Sequence, residues 1–554
     1  MTTSENEQYP IRDIHFLPAT ENSNTAAPNA KGYTFKLFLT SLLLIFLSTT
    51  VDLQAQQLKI DFSSQGKDIK NDVTSFHRYG KYIYSNKTIW GKMQFAFSAN
   101  LKKVKNGVEI SKYDENLKVI KALSLDNNER DFGPFIPLVH YGENAIYVLY
   151  WKYTDDNKIT LYATKINPED LSITTTKELM HYDQKNQGLF AGLTTIEETK
   201  TFYTVSKDGK NVWVVHASPK LILSCVIDGD LNIVRKPEST LVKLEKLLVT
   251  GAHIGNDGNK VLVYRYDNPT NPEYFIRGLY FEPADKKGTF KTITFPSGYS
   301  PGNLVVQSSK NDMKLYLAGE YFGKDFFYGG QGVMLGEIDM ATQSISTPKF
   351  FPYTDQIKQR VLDLDFASKK KGEIVFTDHN LNYRINEMDN GTIVLSSDHK
   401  SGTFVGASNT EFYYNGPIIH AFIKPDGNAV MNLIPKKQVA GSATEFFNYK
   451  YQDKLICIYG DHLKFLEKEL PDQKIGLVRM PGGIIPVAVI YDSDGKLISK
   501  KILINDTKAI QGNVMIGDWS EIENNRFLMP IGRTKVNMIK YYTSISQMCY
   551  VEVL

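Results

Sequence analysis

The stretch SKDGKNVWVVHAS, residues 206–218, sets a polar turn directly ahead of a run rich in Val and Trp. Asp208, Gly209 and Lys210 are turn residues. An Asp side chain bonds its own backbone two residues on, and Gly supplies a positive φ without steric cost. Val212 to His216 then reads as a strand. Such a stretch is either a loop with chemistry in it or one unit of a repeated scaffold, and the rest of the chain decides between them.

Six further segments set an Asp, Gly or Asn turn beside a strand: ENAIYVLYWKY, GNDGNKVLVYRYD, SKNDMKLYLAGEY, EMDNGTIVLSSD, YQDKLICIYGD and IENNRFLMPIGR. A second kind of hairpin accompanies them, in ISKYDENLKVIKAL, ATKINPEDLSITTTKEL, SCVIDGDLNIVRKP, GLYFEPADKKGTFKTITF, LGEIDMATQSISTPKF, AFIKPDGNAVMNLIP and VIYDSDGKLISKKIL. From Tyr113, Ile166, Ile227, Phe281, Ile338, Ile423 and Tyr491 the intervals are 53, 61, 54, 57, 85 and 68 residues. Recurrence at such a period marks a repeat architecture. Beyond residue 56, five- to eight-residue apolar runs alternate with polar residues, helical periods are scarce, and Tyr (32) and Phe (30) are abundant, so the body is all-β.

Two hairpins per period make four antiparallel strands, and four-stranded units set around an axis are the blades of a β-propeller. The Asp208-Gly209-Lys210 turn resembles the x-D-G-K turn of many propeller families, the TolB-like and WD40-like groups among them. Ser206, Asp208 and Trp213 also partly match the Asp-box of sialidases, but Gly209 falls one position early and Val212 replaces its Thr. The ends of the chain bear on blade number. The last segment supplies three strands, around VMIGDWSEI, RFLMPIGR and SQMCYVEVL, and QLKIDFSS near the start has no partner of its own. Pairing the two ends closes the ring and removes exposed edges. Eight blades are expected; seven stays open, because residues 73–105 and the interval 338–423 do not show the unit clearly.

In a propeller the strands run a, b, c, d outward, so a–b and c–d turns share one face, and b–c loops and d–a crossovers share the other. Sorted this way, one face carries short polar turns such as KDGK, NDGN and DSDG. The other carries DNNERDFGPFIP (126–137), HYDQKNQGLFAG (181–192), YDNPTNPEYFIRG (266–278), FPSGYSPGN (295–303), YFGKDFFYGGQG (321–332), FFPYTDQIKQR (350–360) and KSGTFVGASNTEFYYNG (400–416). Long loops on a rigid scaffold are where binding resides. Phe326, Phe327, Tyr328, Tyr413 and Tyr414 are therefore the candidate binding residues, aromatic rings being favoured at binding hot spots. The competing reading is that these rings pack between blades.

Residues 1–30 are polar and read as a disordered tail. Residues 31–55 carry Lys31 and Lys36 ahead of an apolar run, Leu37 to Leu47, and read as a signal peptide cut after Ala55 or as an uncleaved signal anchor. The propeller, residues 56–554, is accordingly expected outside the cytoplasm, periplasmic, secreted or on the cell surface, touching a membrane only through residues 31–55. A net charge of +3 with no basic–aromatic block argues against nucleic acid. Cys225, Cys457 and Cys549 sit in apolar runs and read as buried free thiols, with no disulfide framework and no zinc spacing.

No P-loop, Rossmann fingerprint, HExxH, GxSxG or EF-hand motif occurs, and neither a cofactor nor a metal is expected. Asp-His pairs recur at His379, His399 and His462 and read as surface or loop histidines. Glu129 and Asp131, with Arg130 between them, and Asp518 and Glu521 could contribute to a carboxylate site, but glycoside hydrolysis needs two carboxylates at a set separation in space. The leading expectation is a non-catalytic scaffold that recognises a protein or glycan through the loop-rich face; the alternative is a carbohydrate-active hydrolase or lyase with its site at the axis.

Overall fold

The computed structural model describes residues 58–62, 69–70, 73–89, 107–125, 137–153, 158–183, 200–218, 221–241, 248–267, 275–296, 298–310, 314–323, 330–370, 372–376, 380–405, 410–439, 446–462, 484–504, 513–514, 520–523, 525–537 and 540–553. Their backbone is almost wholly strand. Stretch 206–218 lies in the third sheet, where Lys200–Val205, Val212–Ser218, Leu221–Ile227 and Ile233–Leu241 pair in that order, each antiparallel to the next. Its turn is closed by Ser206 N–H to Asn211 O at 2.8 Å and Gly209 N–H to Ser206 O at 2.8 Å, with Gly209 at φ +71°. The Ser206 hydroxyl donates to Asp208 and accepts from the Asn211 amide, so the polar side chains serve the turn itself.

Eight such sheets stand in a ring. The protein is an eight-bladed β-propeller. Blade 8 takes its inner, second and third strands from the C-terminal segment and its outer strand, Leu58–Phe62, from the other end of the described chain. Leu58 lies opposite Val553 and Phe62 opposite Cys549. The ring is thus closed by the pairing expected from the sequence, and the seven-bladed alternative falls.

Both regions that obscured the repeat have simple causes. In blade 1 the first hairpin, Val73–Tyr79 with Tyr82–Ile89, turns on Gly80 (φ +54°) and Lys81 with no Asp or Asn to mark it. Between blades 5 and 6 the crossover holds a helix, Asp355–Asp363, and a small hairpin, Ala367–Lys370 with Glu373–Phe376, which lengthen that interval. Thr354 caps the helix by accepting the Ile357 N–H, and Ile357 and Val361 are its buried positions.

The core lies between blades. Leu149, Trp151 and Leu161 of blade 2 pack on Val214, Leu223 and Leu231 of blade 3, and Val261, Val263 and Leu279 of blade 4 on Leu304, Leu317 and Met334 of blade 5. Middle strands are therefore buried on both faces, as Leu315–Phe322 is throughout, while the outer Val119–Leu125 is mostly exposed. Long side chains then clasp the c–d turn of the next blade. Lys165 holds Gly229 O (3.0 Å) and Asp230 (2.7 Å), Arg235 holds the carbonyls of Ala284 and Lys286 (2.9 Å each), and Lys424 pairs with Asp494 (2.7 Å).

The c–d turns of blades 1, 2 and 3 place a leucine, Leu117, Leu171 or Leu231, in the left-handed region at φ 58°, 53° and 62°, where blades 6 and 7 use Gly427 and Gly495. Each leucine is buried against the preceding blade. A non-glycine residue there costs roughly 1–2 kcal/mol, and burying a leucine offsets it with about 1.5–3 kcal/mol. Leu231→Ala keeps the strain and loses the packing, so a loss of about 2–5 kcal/mol is expected. Leu231→Gly should be the milder change by about 1 kcal/mol, because it relieves the strain. Urea midpoints of the two variants test that inverted order, and a glycine variant less stable than the alanine variant contradicts it.

Candidate recognition face

The topology sorts the connections as the alternation of strands requires. At the a–b and c–d ends the described connections are turns of a few residues closed by backbone hydrogen bonds, at 206–211, 228–232, 255–259, 388–392, 424–428 and 492–496. At the opposite end lie the helix-and-hairpin crossover of residues 355–376 and the blade 6 hairpin. That hairpin, Ile393–Val405 with Thr410–Ile423, is paired out to Val405 opposite Thr410, well beyond the first strand of its sheet, which is paired only as far as Asn380 opposite His399.

Tyr413 and Tyr414 lie in the projecting part of this hairpin, opposite Gly402 and Ser401. Phe326, Phe327 and Tyr328 fall in the blade 5 b–c connection, outside the described residues, as do Glu129, Arg130, Asp131, Asp518 and residues 1–57.

Where blade 4 crosses to blade 5 stands an aromatic group that the sequence did not single out. The crossover from blade 4 to blade 5 turns at Gly298, φ +96°, with Tyr299 N–H bonded to Pro296 O at 3.1 Å. The turn presents Tyr299, which is 42% exposed. Its ring stacks on Phe350 at 4.6 Å and 15°, and Tyr321 meets it edge-on at 5.2 Å. Tyr321 is itself buried, and its hydroxyl is pushed up to about 12 by desolvation and then by Tyr299.

Beneath the same face, Glu320 is fully buried. Its carboxylate occupies the place a Cβ would take at Gly330, so a larger residue there would have to displace it. In blade 4 the buried Arg277 lies opposite Arg265, and burial followed by that neighbouring charge lowers it to about 10. Tyr383, on the inner strand of blade 6, is held well above its usual value by burial and then by the Glu320 charge. Among the described residues, no three His, Cys, Asp or Glu side chains gather as metal ligands.

The histidines correct the sequence reading. His399 is neither at the surface nor in a loop: it is buried in a middle strand of blade 6, edge-on to Phe366 and Phe376. His462 ends a middle strand of blade 7, and His379 lies outside the described residues. Two others are buried in hydroxyl relays between blades. The indole of Trp151 donates to Thr201 Oγ1, which lies 3.1 Å from His216 Nδ1. The amide of Asn448 donates to Ser396 Oγ, which lies 2.7 Å from His420 Nδ1. In each relay the hydroxyl accepts one hydrogen bond and makes a second with the imidazole nitrogen.

Burial lowers His216 and His420 from 6.5 to about 3, and His77 to about 4. The unfolded chain therefore takes up these protons first as pH falls. Stability is complete above about pH 6.5 and is lost progressively toward pH 3, by roughly 2–3 kcal/mol per fully buried ring at about pH 4.5. Urea midpoints should fall steeply across that window, and a flat profile would rule out neutral buried rings. The three cysteines are free and buried, as the sequence suggested, and burial raises the Cys225 thiol to about 12.

No family model matches the sequence, and no curated protein sequence does. Solved structures do resemble it. The WD40 domain of SCAP from fission yeast is 10% identical over 90% of this chain and 94% of its own, with a TM-score of 0.36. The polysaccharide lyase Uly1 is 9% identical over 89% and 100%, with 0.38, and the Dos1 propeller 7% identical over 89% and 94%, with 0.34.

Proposed function

We propose that the protein is an exported binding scaffold that recognises a glycan or a protein through its loop-rich face. The observation that supports this is the inequality of the two faces. At one end the described turns of blades 1, 2, 3, 4, 6 and 7 include short ones closed by backbone hydrogen bonds, whereas the other end carries an inserted helix, a long paired hairpin and an exposed aromatic ring. Binding to immobilised glycans and candidate extracellular proteins by the full chain tests the reading. Alanine at Phe326, Phe327, Tyr328, Tyr413 and Tyr414 should weaken capture, and alanine at Lys210 on the short-turn face should leave it unchanged. Equal effects from both faces count against it.

Export rests on residues 31–55, as a cleaved signal or an anchor. Cell fractionation, with N-terminal sequencing of the mature chain, tests it: a cytosolic chain starting at Met1 contradicts it.

A second reading, a carbohydrate-active enzyme, draws on the buried Glu320 and Arg277 under the same face. Turnover of a polysaccharide that Glu320→Gln abolishes without loss of binding would favour it over the scaffold.

A further inference from the structure

On the short-turn face, lysines from three blades come together beside the axis. Asp389 stands in the a–b turn of blade 6, just after the inner strand Asn380–Glu387. Lys310, from the a–b turn of blade 5, reaches its Oδ1 at 2.5 Å, and Lys450, on the inner strand of blade 7, reaches the same oxygen at 2.6 Å. The Lys310 N–H also donates to Glu387, at 2.6 Å. Lys207 extends the group from blade 3, its ammonium donating to the carbonyls of Ser309 (3.2 Å) and Lys310 in blade 5. Blade 4 lies between those two blades, so this contact runs along a chord of the ring, across its mouth.

One carboxylate thus joins three neighbouring blades. Hydrogen bonds from Lys310 and then Lys450 hold Asp389 down to about 2, so it carries its charge at any ordinary pH. Without that charge two ammonium groups face each other over one position, and like charges so placed repel.

The turn that holds Asp389 also connects the two elements that set the other face apart. The inner strand of blade 6 leads to it from the crossover with the helix Asp355–Asp363, and the next strand, Ile393–Val405, leads from it into the long hairpin. An eight-residue strand at about 3.3 Å per residue spans roughly 26 Å from one face to the other. At the loop-rich end the inner strands of blades 5 and 6 are interrupted by register shifts, after Pro301 and Leu381, so their regular pairing is broken there and their ordered end is the one beside Asp389. We infer that Asp389 is the hub of an ionic latch that fixes blades 5, 6 and 7 to one another at the axis, and that it thereby positions the crossover helix and the blade 6 hairpin from the far end of their strands. Asp389 is a positioning residue, and the inference holds whatever the loop-rich face binds.

Hydrogen exchange read by mass spectrometry on the full-length chain tests it. At low ionic strength Asp389→Asn should speed exchange roughly threefold to fivefold, the range of a small network of exposed charges. The faster segments should be Ser300–Ser308, Asn380–Glu387, Phe446–Tyr451, the helix and Ile393–Val405, with Ile146–Tyr153 of blade 2 unchanged. The Lys310 and Asp389 side chains are 58% and 43% exposed, so about 1 M salt, where the Debye length is near 3 Å, should bring the wild type to the rates of the variant. Adding Lys310→Met and Lys450→Met to the Asp389→Asn chain should restore most of the protection, because the repelling charges are gone. Wild-type rates in Asp389→Asn overturn the latch, as does equal acceleration in every blade, which marks a general loss of stability. Acceleration confined to the three inner strands overturns the positioning of the helix and hairpin.

Discussion

Deleting Leu58–Phe62 should open the ring and cost on the order of 5 kcal/mol, because the strand pairs along Cys549 to Val553, Ile60 packs on the cluster that holds Cys549 and Val551, and each apolar side chain buried contributes about 1.5–3 kcal/mol. The third strand of blade 8 would then become an exposed edge, with the attendant tendency to pair with other chains. Cys549 reports the change directly. In the intact protein it is fully buried and burial raises its pKa, so it should resist thiol reagents under native conditions. In the deletion variant it should react at native pH, and the urea midpoint should drop. A variant that keeps both its midpoint and an unreactive Cys549 would show that closure contributes little.

Glu282→Ala should be nearly as damaging. Lys260 and Glu282 lie opposite each other in blade 4, both essentially buried, with 3.1 Å between Nζ and Oε1. Ser224 donates to the same carboxylate from blade 3, and Arg235 approaches it at 3.9 Å. Removing Glu282 strands a buried ammonium, and breaking such a pair costs about 3–5 kcal/mol. Replacing both partners with apolar residues of like volume, as in Lys260→Met/Glu282→Leu, should recover most of that loss. Burial already lowers the Lys260 pKa, so the penalty in Glu282→Ala should shrink as pH rises and the amine gives up its proton. Urea denaturation of the single and double variants at two pH values measures both effects; a double variant as unstable as the single one would exclude the stranded charge as the cause.

Turn chemistry made the fold legible. Asp208-Gly209, Asp257-Gly258, Asp426-Gly427 and Asp494-Gly495 all place the glycine at positive φ, and such turns are written in residue types that serve few other purposes. Where a turn lacked them, as at Gly80-Lys81, or where a helix intervened, as at Asp355–Asp363, the repeat faded. The recognition face was legible as loop length, since the alternation of strand direction assigns every connection to one face or the other. Particular side chains were not. His399 sits beside an Asp in the sequence like any loop histidine, and only the packing of Phe366 and Phe376 buries it. Tyr299 was one aromatic among many, and its exposure arises from a stack on Phe350, fifty-one residues away.

The sequence by itself determined strand, turn, period and the partner of the N-terminal strand, because each depends on local conformational preference or on alternation along a few residues. Tertiary structure decided which rings face solvent, which charges are buried in pairs and which histidines stay neutral. Those outcomes depend on the gap between two blades, whose facing strands come from residues some fifty positions apart, and the desolvation that sets the chemistry of Lys260, Arg277 or His420 exists only once that gap has closed.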